Sequence, residues 1–111
     1  MTEPLAAVPL GALPPGSAHR FATDPPVTVF HTEDGEFYAV DDTCTHSEAS
    51  LADGWLEGCL VECPLHSSRF DLRTGAVDGP PARLPIRTHP VEVRDGMLYI
   101  GADEPAGQPA P

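Results

Sequence analysis

The sequence predicts an all-β domain, a small sandwich or barrel of short antiparallel strands. Three observations carry that prediction. Ten Gly and 14 Pro occupy about a fifth of the 111 residues, so long helices are disfavoured and turns are frequent. No segment sustains the 3.6-residue apolar period of an amphipathic helix. Several short β-rich runs are instead punctuated by turn signals, two of which contain Asp-Gly.

Each element follows from its residues. Val27-Thr28-Val29-Phe30 is β-rich and follows Pro25-Pro26. Glu36-Phe37-Tyr38-Ala39-Val40 mixes acidic, aromatic and apolar residues in alternation. The intervening Thr32-Glu33-Asp34-Gly35 makes the two a hairpin. Val91-Glu92-Val93-Arg94 alternates at period two and meets Met97-Leu98-Tyr99-Ile100 through Asp95-Gly96, a second hairpin of the same kind. Leu60-Val61-Glu62 and Arg69-Phe70-Asp71-Leu72 read as two further short strands, with Thr74-Gly75 as a turn. At most one helical turn is expected, near Ser50-Leu51-Ala52. The segment 102–111 is polar and Pro-rich and is expected to be disordered. Residues 1–101 are then a single domain.

Composition narrows the function. All six basic residues are Arg, and 17 Asp and Glu leave a formal net charge of −11. Nucleic acids and anionic membranes are bound through Lys and Arg, so neither is an expected partner. A basic protein partner fits, as does plain solubility. The acids are concentrated: ten lie between Phe21 and Ser68 with no Arg among them, whereas 69–94 holds five Arg against three acids. No run approaches the roughly 18 apolar residues of a membrane helix. The N-terminus lacks a positive charge, and the apolar stretch 5–13 is broken by Pro9 and Gly11, so no secretory leader is read there. Cys44, Cys59 and Cys63 are an odd set, unlike a secreted disulfide scaffold. A reduced, cytoplasmic setting is the expectation.

The chemistry lies in two pairs, Cys44-Thr45-His46 and Cys63-Pro64-Leu65-His66, with sixteen residues between His46 and Cys63. Each pair offers a thiolate and an imidazole on a tight loop. Four such ligands suit tetrahedral zinc or an iron–sulfur cluster. Zinc sites usually place two Cys in one knuckle and two His in another, or four Cys in two knuckles. Here each loop mixes the two types, which suits a two-iron cluster with one iron on thiolates and the other on imidazoles.

The pattern Cys44-x-His46 … Cys63-x-x-His66 resembles the Rieske signature. Its surroundings are similar to the small ferredoxin components of bacterial aromatic-ring-hydroxylating dioxygenases. The flanking residues that carry this likeness are Glu36 to Asp42, Leu56-Glu57-Gly58, Arg69 to Gly75, and Asp78-Gly79-Pro80-Pro81-Ala82. The likeness runs from about Pro26 to Gly101. It implies an all-β Rieske domain whose cluster-binding part, about 42–82, is built from two loops and a few strands. It further implies one [2Fe–2S] cluster, with Cys44 and Cys63 on the inner iron and His46 and His66 on the outer. With neutral histidines, two ferric ions, two sulfides and two thiolates sum to zero charge. Reduction is therefore easier than for a four-thiolate dianion. Respiratory Rieske proteins carry a disulfide between the two loops. Ala49 and Leu65 stand at those positions here, so that bridge cannot form. Ser68 matches their serine, but Phe70 replaces their tyrosine. Fewer hydrogen bonds to sulfur place the potential toward the low end, about −150 mV.

The resemblance implies a one-electron carrier, not itself an enzyme. It would take electrons from an NAD(P)H-dependent flavoprotein reductase and pass them, as a monomer, to a terminal non-haem iron oxygenase in aromatic hydrocarbon catabolism. The tip bearing His46 and His66 would meet each partner, with the acidic block facing a basic rim. Two alternatives remain at this point: a small Rieske subunit held in a larger oxidoreductase such as a nitrite reductase, or a zinc-stabilised binding module. Cys59 lies about 13 Å from Cys63 along a straight strand and is read as a partly buried thiol outside the cluster. His19, His31 and His89 are read as surface or satisfied structural histidines, Trp55 and Phe70 as packing, and Pro80 and Pro81 as a shield over the cluster.

Overall fold

The computed structural model describes residues 4–23, 25–44, 49–64, 68–78 and 85–101. It is built of three antiparallel sheets. The first orders β1 (Ala6–Pro9), β11 (Met97–Ile100) and β10 (Val91–Arg94), with β11 in the middle. The second orders β2 (Ala18–Phe21), β3 (Val27–His31), β4 (Phe37–Asp41) and β9 (Thr88–His89). The third orders β5 (Trp55–Glu57), β6 (Leu60–Glu62), β7 (Arg69–Asp71) and β8 (Val77–Asp78). Because β4 pairs with β9, the chain leaves the second sheet after Asp41, builds the third, and returns at Thr88. Among the described residues, helix is confined to 3-10 turns at Leu10–Ala12 and Leu51–Asp53. No helix there is long and apolar enough to cross a membrane.

Both expected hairpins form. β3 and β4 pair from Val27↔Asp41 to His31↔Phe37, and the Thr32 N–H closes the loop onto the Glu36 carbonyl at 2.8 Å. β10 and β11 meet at Arg94↔Met97. Asp95 and Gly96 both have positive φ, at 53° and 79°, which is what a two-residue type I′ turn needs. The turn near Leu51 is also present. The strands β1, β2, β5, β8 and β9 were not foreseen. β1 is Ala-Ala-Val-Pro on the edge of its sheet, and its register comes from β11 rather than from local propensity. β8 and β9 are only two residues long.

The middle sheet is buried on both faces, and this makes two cores. Val27, Val29 and Ala39 face one way and join Val8, Leu13, Leu98 and Ile100. Phe30 and Val40 face the other and join Leu51, Val61, Phe70, Leu72, Ile86, Cys44 and Cys63. The near-continuous burial of β3 explains why its sequence lacks the alternation of a half-exposed strand. Each fully buried aliphatic side chain contributes roughly 1.5–3 kcal/mol.

Candidate metal centre

Both sequence-predicted cysteines stand at the ends of strands that run into the second core. Cys44 follows β4 and is 2% exposed, and Cys63 follows β6 and is fully buried. They belong to one apolar cluster, together with Phe70 and Leu51, and neither is in a disulfide. Each roots a loop that closes through its own backbone. The Cys44 N–H donates to the Ala49 carbonyl at 3.0 Å, and the Cys63 N–H donates to the Ser68 carbonyl at 2.7 Å. Both closures therefore span five residues. His46, between Cys44 and Ala49 in sequence, and His66, between Cys63 and Ser68, lie outside the described residues. So do Pro80, Pro81 and the segment 102–111. Among the described residues no set of three or more His, Cys, Asp or Glu gathers as a metal site.

Asp42 anchors the first loop, and sequence reasoning missed this role by counting it among the surface acids. Its carboxylate is buried beside an apolar core. It accepts hydrogen bonds from the Thr28 hydroxyl (2.6 Å), the Ser50 hydroxyl (2.7 Å), the Ala52 N–H (3.2 Å) and the Arg20 Nε–H (2.9 Å). Its main-chain carbonyl accepts from the Leu51 N–H at 2.7 Å. One side chain thus ties β2, β3 and the residues after the first loop together. Burial alone would raise its pKa, but the bonds from Thr28, Ser50, Arg20 and Ala52 outweigh burial and lower it. The available signal was an Asp directly after the apolar Ala39-Val40 and close to a candidate ligand.

The acidic block is accordingly less exposed than its count suggested. Asp42 is paired with Arg20, and Asp41 takes Arg87 Nε at 3.2 Å and His89 Nε2 at 2.7 Å. His31 packs on Phe37 with ring centroids 4.1 Å apart, and its Nδ1 meets the Leu13 carbonyl at 2.7 Å. His89 is buried, and its Nδ1 has no partner among the described residues. Cys59 is half-buried, as expected, but sits in the Gly58–Cys59 turn between β5 and β6 rather than in a straight strand. Its carbonyl accepts the Leu72 N–H at 2.8 Å. Phe70 is fully buried, as read. Trp55 is not packing, since 60% of it is exposed.

Two buried, unbridged thiols, each rooting a short loop with a histidine in its sequence, fit a two-iron cluster by the chemistry of the donor set. Comparison with known proteins agrees. Residues 4–90 match the Rieske [2Fe-2S] domain, and the chain belongs to that family. The 3-phenylpropionate/cinnamic acid dioxygenase ferredoxin subunit of Photorhabdus laumondii is 48% identical over 93 residues, 83% of this chain and 88% of that protein. The ferredoxin of carbazole 1,9a-dioxygenase from Nocardioides aromaticivorans superposes with a TM-score of 0.82 at 35% identity, covering 90% of this chain and 98% of that one. A structure described as a complex of reduced oxygenase and oxidised ferredoxin in carbazole 1,9a-dioxygenase matches with a TM-score of 0.80 at 32% identity, over 90% and 96% of the two chains. Within its family, then, this chain stands with the ferredoxin components of dioxygenase systems, which carry electrons and do not turn over substrate.

Proposed function

We propose that Cys44, His46, Cys63 and His66 together hold one [2Fe–2S] cluster, and that the protein shuttles single electrons from an NAD(P)H-dependent flavoprotein reductase to a terminal non-haem iron oxygenase. The observation that carries this reading is the pair of buried thiols in one core, each rooting a loop closed at the same five-residue span. When bound, the cluster supplies a one-electron couple. The chain does the rest. The two cysteines sit at 2% and 0% exposure, which keeps water from the thiolate side. Asp42 and the Cys44 and Cys63 N–H bonds hold the loop roots in place. Phe70 has no hydroxyl, so the second core offers one fewer donor toward sulfur.

The relatives serve systems that act on different aromatic compounds. The substrate is thus a property of the oxygenase, which the carrier does not fix. Isolated holoprotein should be red-brown, contain two irons per chain, and titrate as a one-electron couple near the low end of the Rieske range, about −150 mV. It should also reduce its cognate oxygenase in rapid-mixing experiments. A colourless protein holding one zinc would overturn the reading. A midpoint above about +100 mV would remove it from the low-potential class. Stoichiometric copurification with a catalytic subunit would favour a permanent subunit over a mobile carrier.

A further inference from the structure

The third sheet has an outer face whose chemistry the cluster does not use. Residues paired across antiparallel strands share a face, so Trp55, Glu62, Arg69 and Asp78 form one row across β5, β6, β7 and β8. The next row, Leu56, Val61, Phe70 and Val77, points into the core. The outer row lies at the cluster end of the sheet, because Glu62 immediately precedes Cys63. A pocket of about 250 Å³ opens on this face, lined by Trp55, Leu56, Glu57, Leu60, Glu62 and Arg69. That is below the about 300–1,000 Å³ typical of small-molecule sites. It suits a single side chain better than a substrate.

The charges say which side chain. Arg69 stands opposite Glu62 in register but places its guanidinium on Asp78, at 3.2 Å. Glu57 and Glu62 make no ion pair among the described residues. Among the described residues the pocket therefore combines an exposed indole with two carboxylates outside any ion pair. A guanidinium or ammonium satisfies both, by lying over the ring and pairing with the carboxylates. An exposed Trp beside charged groups is also the composition of an interface anchor. A second copy of this chain is a poor occupant, because two chains of net charge −11 repel.

We propose that this face receives an arginine or lysine of the terminal oxygenase, locking that partner beside the cluster-binding loops. The proposal rests on the electron-carrier reading above. The test is rapid mixing of pre-reduced holoprotein with its cognate oxygenase at low and high salt. Trp55→Ala should lower the second-order transfer rate about tenfold, the effect of losing one anchoring aromatic, and Trp55→Phe should recover most of it. Glu57→Gln/Glu62→Gln, a surface change that keeps the indole, should slow transfer at low salt and flatten its salt dependence. The midpoint potential and visible spectrum should stay as in the wild type for all three.

Wild-type rates and salt slope in these variants would overturn the proposal while leaving the electron-carrier reading intact. So would slowing confined to the reductase step, or a holoprotein dimer that Trp55→Ala dissociates. Failure of the wild-type protein to reduce the oxygenase would instead remove the electron-carrier reading and this proposal with it.

Discussion

The two cores share one sheet and differ in kind. On one face of β3 and β4, Val8, Leu13, Val27, Val29, Ala39, Leu98 and Ile100 pack with no side-chain polar atom among them. On the other, Phe30, Val40, Leu51, Val61, Phe70, Leu72 and Ile86 surround two thiols, with the buried Asp42 and Ser68 in the same half of the molecule. The first core is satisfied by burial alone. The second contains the two thiols proposed above as cluster ligands and a carboxylate whose burial is offset only by its hydrogen bonds. The protein thus keeps its metal-independent stability on one side of a sheet and its chemistry on the other.

The largest test of this division is Cys63→Ser. It should abolish the visible absorption and the bound iron, while amide exchange still protects the Leu98 and Ile100 N–H groups of β11. Collapse of protection throughout would mean that the two cores form one cooperative unit. Next, Asp42→Ala should cost about 3–5 kcal/mol, because it removes the partner of Arg20, Thr28 and Ser50 in a buried site. Leu98→Ala should cost about 2–5 kcal/mol on the other side. Urea midpoints measure both, and the comparison sharpens if iron is lost early only in Asp42→Ala.

A smaller effect is expected with pH. Asp71 has its carboxyl lowered from the ordinary 3.8, first by the Arg73 side chain against the opposing effect of burial, and further by the Arg73 N–H and charge and by the Cys59 thiol. Its folded pKa lies below its unfolded one, so its contribution is complete above the ordinary carboxylate range and is lost as pH falls through the folded value. The difference in urea midpoint between wild type and Asp71→Asn should accordingly narrow on acidification and not on alkalinisation. Smallest of all, Val93→Thr, at a half-exposed side chain on the edge strand β10, should change stability within about 0.5 kcal/mol.

Much of this division was legible in the residues. The Asp-Gly turns set both hairpins, and the Cys-x-His and Cys-x-x-His spacings marked the loops that Cys44 and Cys63 root. What escaped was whatever depends on distant partners. β1 has weak propensity and takes its place from β11. β5 was hidden because Trp55 read as a packing residue, whereas the sheet turns it outward opposite Glu62. Asp42 was indistinguishable from a solvated acid because its four donors come from β2, β3 and the stretch after the first loop. Gly54 has an ordinary φ and carries no local signal of its role. It is required because a Cβ there would lie 2.1 Å from the Glu62 carbonyl oxygen.

The equal closure of the two loops has a consequence for how such a site can vary. What roots each thiol is main chain: the N–H of Cys44 and of Cys63, and the carbonyls of Ala49 and Ser68. Any residue can supply a carbonyl, so substitutions at 49 and 68 are tolerated at the backbone level, whereas a deletion of one residue would pull either carbonyl out of register. Substitution can thus retune charge and hydrogen bonding around the two thiols while loop length stays constant. Length, more than identity, is the conserved quantity to look for when variants of this chain are compared.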